Sequence, residues 1–179
     1  MHRYLNESTC LPEALELLKT GFELCNDDKL LRANLLNTAA TIAEKQSNTS
    51  DAEKMFLESL QIRQDVLPPD HEEIANSFNN LGKAYCTKQQ YKEAISLFQK
   101  AINIDEKKPP EESKKILYIR HLSMTTAYIL LGDTQTAWNH LNLAKEYAMH
   151  KFSSSSYYVA VYDITPIWVT SCDIHHPRY

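Results

Sequence analysis

Phe78-Asn79-Asn80-Leu81-Gly82-Lys83-Ala84-Tyr85, followed by Ala94-Ile95-Ser96-Leu97-Phe98-Gln99-Lys100-Ala101, decides how this chain folds. In the first run, Phe78, Leu81, Gly82 and Tyr85 recur at the spacing of one helix face. In the second, Ala94, Phe98 and Ala101 do the same. Ala52-x-x-x-Phe56-x-x-Ser59 stands about 42 residues upstream of the second run, and Ala137-x-x-x-Leu141-x-x-Ala144 about 43 downstream. Such a period means stacked helical hairpins that bury a continuous core and offer their faces to a partner. The expectation is an all-α solenoid that binds rather than catalyses.

Composition agrees. The chain has 179 residues, 43% of them hydrophobic, enough for one domain or one short array. Its formal net charge of −4 argues against a nucleic-acid partner. No run of about 18 apolar residues occurs, so no membrane partner is expected. Met1-His2-Arg3-Tyr4-Leu5-Asn6-Glu7 lacks the apolar segment of a signal peptide. Cys10, Cys25, Cys86 and Cys172 show neither a zinc spacing nor a disulfide framework. Free thiols fit a reducing compartment, and a cytoplasmic location is expected. Only three glycines are present, too few for the turns of a doubly wound sheet or a sandwich. Gly82 takes a close-packing place inside a helix, and Gly132 a left-handed closing place.

Along the chain, residues 1–28 read as an N-terminal segment with one amphipathic helix at 12–25, opened by Leu11-Pro12-Glu13. Ala14-x-x-x-Leu18-x-x-Gly21 fits the second helix of a hairpin, and residues 1–10 are too few to supply the first. Asn26-Asp27-Asp28 breaks and caps. The first complete unit, 29–70, pairs 29–46 with 50–66, with Ser50 or Asp51 as N-cap. The second, 71–110, pairs 71–87 with 91–107 and ends in Lys108-Pro109-Pro110-Glu111, echoing Leu67-Pro68-Pro69-Asp70. The third, 111–151, pairs 112–131 with 134–149, with Met124, Thr125 and Tyr128 where Leu81, Gly82 and Tyr85 stood. From 152 to 179 the pattern stops. Ser153 to Ser156 is a serine tract, and Pro166 interrupts a β-branched run. This segment reads as a truncated fourth unit or an irregular tail that caps the last hairpin.

Residues 75–106 resemble a tetratricopeptide repeat. The longer period, with Ala52-Glu53-Lys54-x-Phe56, Leu67-x-Pro69-Asp70-His71 and Asn79-Asn80-Leu81-Gly82, is similar to the kinesin light chain-like subclass. Similar repeats also follow the nucleotide-binding module of STAND-type signalling ATPases. The resemblance implies a concave groove lined by the first helices. Its groove places fall on Asn34, Asn37, Thr38 and Thr41; on Asn76, Asn79, Asn80 and Lys83; and on Ile119, Leu122, Ser123 and Thr126. Asparagine amides there could donate to and accept from the backbone of an extended peptide. Asparagine is a poor helix former and needs a reason to stand mid-helix. The basic clamp of chaperone-binding grooves is missing, Lys83 being the one cation at those places, so weak affinity for acidic tails is expected.

Other chemistry finds little footing. His71 follows Asp70 at a helix start and reads as a cap. His121, His140 and His150 have no His or Cys partner one turn away, and His175-His176 lies in the tail. Glu72-Glu73 and Glu111-Glu112 begin helices, where negative charge meets the positive end of the dipole. No phosphate loop, nucleophile elbow or His-Glu-x-x-His occurs. The expectation is a protein-interaction scaffold for a protein or peptide partner, with no cofactor, metal or small-molecule substrate. The alternative is the sensor arm of a STAND-type ATPase without its nucleotide-binding module.

Overall fold

The computed structural model describes residues 7–151. Across them run seven helices: α1 (Glu7–Leu24), α2 (Lys29–Lys45), α3 (Thr49–Val66), α4 (Glu72–Thr87), α5 (Tyr91–Asp105), α6 (Pro110–Leu131) and α7 (Thr134–Lys151). α2 packs on α3, α4 on α5 and α6 on α7, giving three hairpins; α3–α4 and α5–α6 contacts join them in a row. α1 packs on α2 without a first helix of its own among the described residues. The all-α solenoid expected from the period is the observed architecture. The tail from 152 and the cap it was expected to form lie outside the described residues.

The hairpin turns repeat one device. Ser47, Gln89 and Gly132 all adopt left-handed backbone, with φ of 63°, 62° and 89°. In each, the following amide reaches back to a carbonyl of the closing helix: Asn48 N to Ala43 O, Gln90 N to Tyr85 O and Asp133 N to Tyr128 O, all 2.9 Å. These bonds satisfy orphan carbonyls of the last turn. This geometry corrects the expected cap of α3. With Ser47 closing α2, Asn48 becomes the N-cap, and neither Ser50 nor Asp51 does. Asn48 Nδ2 donates to Asp51 Oδ2 at 2.8 Å, which makes Asp51 the cap's partner. Asp28 caps α2, accepting from Leu31 N at 2.9 Å. His71 caps α4 as read from sequence, its Nδ1 accepting from Glu73 N at 3.2 Å. Two boundaries move. α6 takes Pro110 into its first turn, where a missing N–H costs nothing. α1 starts at Glu7, so Pro12 lies inside it rather than opening it.

Inside each hairpin, one small residue on the first helix faces one large residue on the second. Gly82 is the sharpest case: a Cβ there would stand 2.5 Å from Phe98 Cε1. Phe98 is 1% exposed. Ala40 and Phe56 hold the same two places in the first hairpin, and both are buried. In the third, Leu141 and Thr125 stand at those two places of the register. Thr125 is buried, its hydroxyl donating to His121 O at 2.9 Å.

Candidate partner-binding groove

The first helices α2, α4 and α6 carry the expected groove residues. Between α4 and α6 opens a groove of about 560 Å³, walled by Lys83, Cys86 and Thr87 on one side and by Ile119, Leu122, Ser123 and Thr126 on the other. Phe98 and Tyr118 form part of its lining, and Leu130 stands at one end. Ile119 and Leu130 keep 38% and 36% of their surface open. Such apolar exposure at the mouth of a concavity is what a ligand-binding groove presents. Hydroxyls of Ser123 and Thr126 donate to the carbonyls of Ile119 and Leu122, so what remains for a ligand is their lone pairs.

Lys83 is the charged feature of this groove. Its surface is open to solvent, but the groove walls crowd it, and that desolvation lowers its pKa; repulsion from Arg120 adds to this, and Glu44 opposes it. Glu44 is raised in turn, by burial first, with Lys83 opposing. Burial pushes the Cys86 thiol up to about 11, which leaves it protonated and unreactive at neutral pH.

The asparagines divide into three kinds. Asn34 and Asn76 hold equivalent places about 42 residues apart, and each is exposed. Each gives its carbonyl oxygen to a buried arginine: Arg63 Nη2 donates to Asn34 Oδ1 and Arg120 Nη2 to Asn76 Oδ1, both at 2.6 Å. These charge-assisted bonds are the structural reason for asparagine mid-helix here. The amide N–H₂ of each remains to donate to a ligand, while the oxygen is already engaged by the arginine. Asn37 and Asn80 pair with one another across α2 and α4, Asn80 Nδ2 donating to Asn37 Oδ1 at 3.0 Å. Asn79 differs from the sequence expectation. It is 2% exposed, with a carbonyl oxygen that has no hydrogen-bond partner, and it does not reach the open face. Thr38 and Thr41 are exposed and donate back to Asn34 O and Asn37 O at 3.0 Å.

The arginines themselves were not singled out in the sequence. Arg63 is 5% exposed and ties three helices together, donating to Ser59 Oγ, Ser77 Oγ, Asn34 Oδ1 and Glu73 Oε2. Arg120 is 3% exposed and bonds Asp105 Oδ2 at 2.8 Å. Asp105 is fully buried; Lys108 Nζ stands 3.4 Å from its other oxygen, an ion pair without hydrogen-bond geometry. His121 and His140, which lack a His or Cys partner along their own helices, find one in each other. They bring their Nδ1 atoms to 2.9 Å across α6 and α7. Their rings stack between Tyr147 and Tyr128, with neighbouring centroids 5.2 to 5.5 Å apart. The available signal was register: His140 stands where Met55 and Leu97 stand in the other hairpins, the place that packs on the first helix. Among the described residues, no group of three or more His, Cys, Asp or Glu could hold a metal ion, and no helix is long and apolar enough to cross a membrane.

These helices and turns repeat in register three times. The fold is a tetratricopeptide-repeat solenoid. A tetratricopeptide-repeat sequence profile matches residues 31–107, which hold the first two hairpins. No curated protein sequence matches this chain. Among solved structures, BtubC (BKLC) from P. vanneervenii is similar, with a TM-score of 0.68 at 20% identity over 80% of this chain. The chain spans 59% of the length of that structure. The kinesin light chain repeats of Podosopora anserina, described as nearly identical TPR-like repeats, give a TM-score of 0.64 at 17% identity, covering 82% of this chain and 69% of that one. A variant of those repeats gives 0.62 at 13% identity, covering 88% and 84%. At these identities the likeness is one of fold.

Proposed function

We propose that this solenoid is a protein-interaction scaffold whose first-helix face holds an extended peptide or a partner helix. The observation that carries this reading is the open apolar groove between α4 and α6. Ile119, Leu122 and Leu130 would take apolar side chains, and Lys83 would meet a carboxylate or backbone carbonyl. The amides of Asn34, Asn76 and the Asn37–Asn80 pair would address peptide backbone, as would the hydroxyl oxygens of Thr38 and Ser123. The likeness in fold to kinesin light chain repeats and BtubC supports a binding role without naming the partner.

The test uses the full chain and a displayed library of random peptides. Selected peptides should bind the parent chain and lose at least about tenfold in affinity to Ile119→Asp with Leu130→Asp. Both side chains are partly exposed, so the variant should stay folded, with the circular dichroism of the parent. Peptides that bind the variant as well as the parent would overturn the assignment of this groove.

A further inference from the structure

Among the described residues α1 is a second helix with no first helix beside it, and its register says which of its faces they leave bare. Ala14 aligns with Ala52, Ala94 and Ala137. At the place of Leu17 the complete hairpins carry Met55, Leu97 and His140; at the place of Leu24 they carry Ile62, Ile104 and Tyr147. In those hairpins these positions face the first helix. Met55 and Leu97 pack against the core, and Ile104 lies within it. His140 and Tyr147 stack on His121 of α6. In α1, by contrast, Leu17 is 73% exposed and Leu24 70%. The neighbouring side of α1 is already taken by α2: Leu18 and Cys25 are buried, and a Cβ on Gly21 would come within 2.8 Å of Leu35 Cδ2.

We propose that the Leu17–Leu24 stripe docks a basic amphipathic helix from a partner protein, seated where the first helix of this hairpin would lie. Two leucines two turns apart, about 10.5 Å along the axis, call for apolar side chains at the same interval on the incoming helix. The charge around them decides the rest. Glu13 and Glu16 flank Leu17, and Glu23 and Asp27 flank Leu24; all four are exposed. Lys19 is the one cation between residues 13 and 28. A second copy of this chain would set these carboxylates against their own kind, whereas Lys or Arg on the flanks of an incoming helix would complement them. The surface lies on α1, apart from the groove between α4 and α6, and stands or falls without it.

A fluorescein-labelled peptide with the α4 sequence, residues 72–87, carrying Glu72→Lys and Glu73→Lys, supplies a first helix with basic flanks. Fluorescence anisotropy should show saturable binding to the full chain that weakens with added salt. Amide shifts in ¹⁵N spectra should cluster on α1 and the α1–α2 turn. Leu17→Glu with Leu24→Glu should weaken binding at least about tenfold while leaving the melting temperature of the free chain in place. Ile119→Asp should leave binding unchanged. The proposal is overturned by absence of saturable binding, by a double variant that binds within about twofold of the parent, or by shifts confined to the α4–α6 groove. Sedimentation showing a dimer that the same double variant dissociates would assign the stripe to a second copy, and would overturn it equally.

Discussion

A neutral imidazole gives one hydrogen bond and takes one, and the 2.9 Å contact between His121 and His140 uses one role from each ring. Protonating both would set two donors face to face. Burial, then the neighbouring His140, lowers His121 from 6.5 to about 4, and burial lowers His140 as well. Tyr128 and Tyr147 complete the stack, and burial, then the charges of Glu106 and Glu146, raise the Tyr147 phenol. The sign follows from folded-state values below the unfolded ones. Stability from the pair is complete above about pH 6.5 and is lost as pH falls toward 4, because the unfolded chain takes up the protons first. From the His121 shift, the loss by pH 5 should be roughly 2 kcal/mol. Urea melts at pH 7.5 and 5 should show it, and His121→Phe with His140→Leu should flatten the difference. Leucine fits the second place because Leu97 occupies it in the middle hairpin.

Helices and turns answer to different parts of the sequence. The helices were legible because Ala, Leu and Phe recur at one register through three hairpins. Their ends were less so. Ser47 and Gln89 adopt the left-handed backbone that glycine supplies at 132, and nothing in their side chains announces it. That conformation costs a non-glycine residue about 1–2 kcal/mol. Replacing Gln89 with glycine should therefore stabilise the chain by about 0.5–1 kcal/mol, after the entropy of glycine in the unfolded state is subtracted. Gly132→Ala should cost about 1 kcal/mol. Thermal melts of the two variants should move in opposite directions. Within the middle hairpin, Gly82→Ala should destabilise by about 1–3 kcal/mol through overpacking against Phe98. Phe98→Ala should cost about 3–5 kcal/mol by leaving a cavity.

Across the whole molecule, the seams between hairpins carry buried charge. Arg63 on α3 and Asp105 on α5 hold equivalent places, as do Ser77 on α4 and Arg120 on α6. The first seam is therefore an arginine held by hydroxyls, an amide and Glu73, while the second is a buried carboxylate met by an arginine. Arg120→Met would leave the fully buried Asp105 with the Lys108 ion pair alone and should cost about 3 kcal/mol. Arg63→Met strands neutral groups and a half-exposed Glu73, so it should cost less, about 1–3 kcal/mol. Chemical denaturation of the two variants side by side tests the order. The same seams explain what was illegible in the candidate site. Ile119, Leu122 and Lys83 could be read because their places repeat. The anchoring of Asn34 and Asn76 could not, because their arginines come from a second helix in one case and a first helix in the other.

That inversion of charge also bears on how such an array can be lengthened. Solenoids grow by copying a hairpin in tandem, and a copy succeeds only if its trailing helix accepts its own leading helix. A duplicated α4–α5 unit would bury Asp105 against a second Ser77, with no guanidinium to meet it. A duplicated α2–α3 unit would set Arg63 against a second Leu35, the equivalent of Ser77. Neither seam closes. The first two hairpins are thus each fitted to the one that follows and neither to itself.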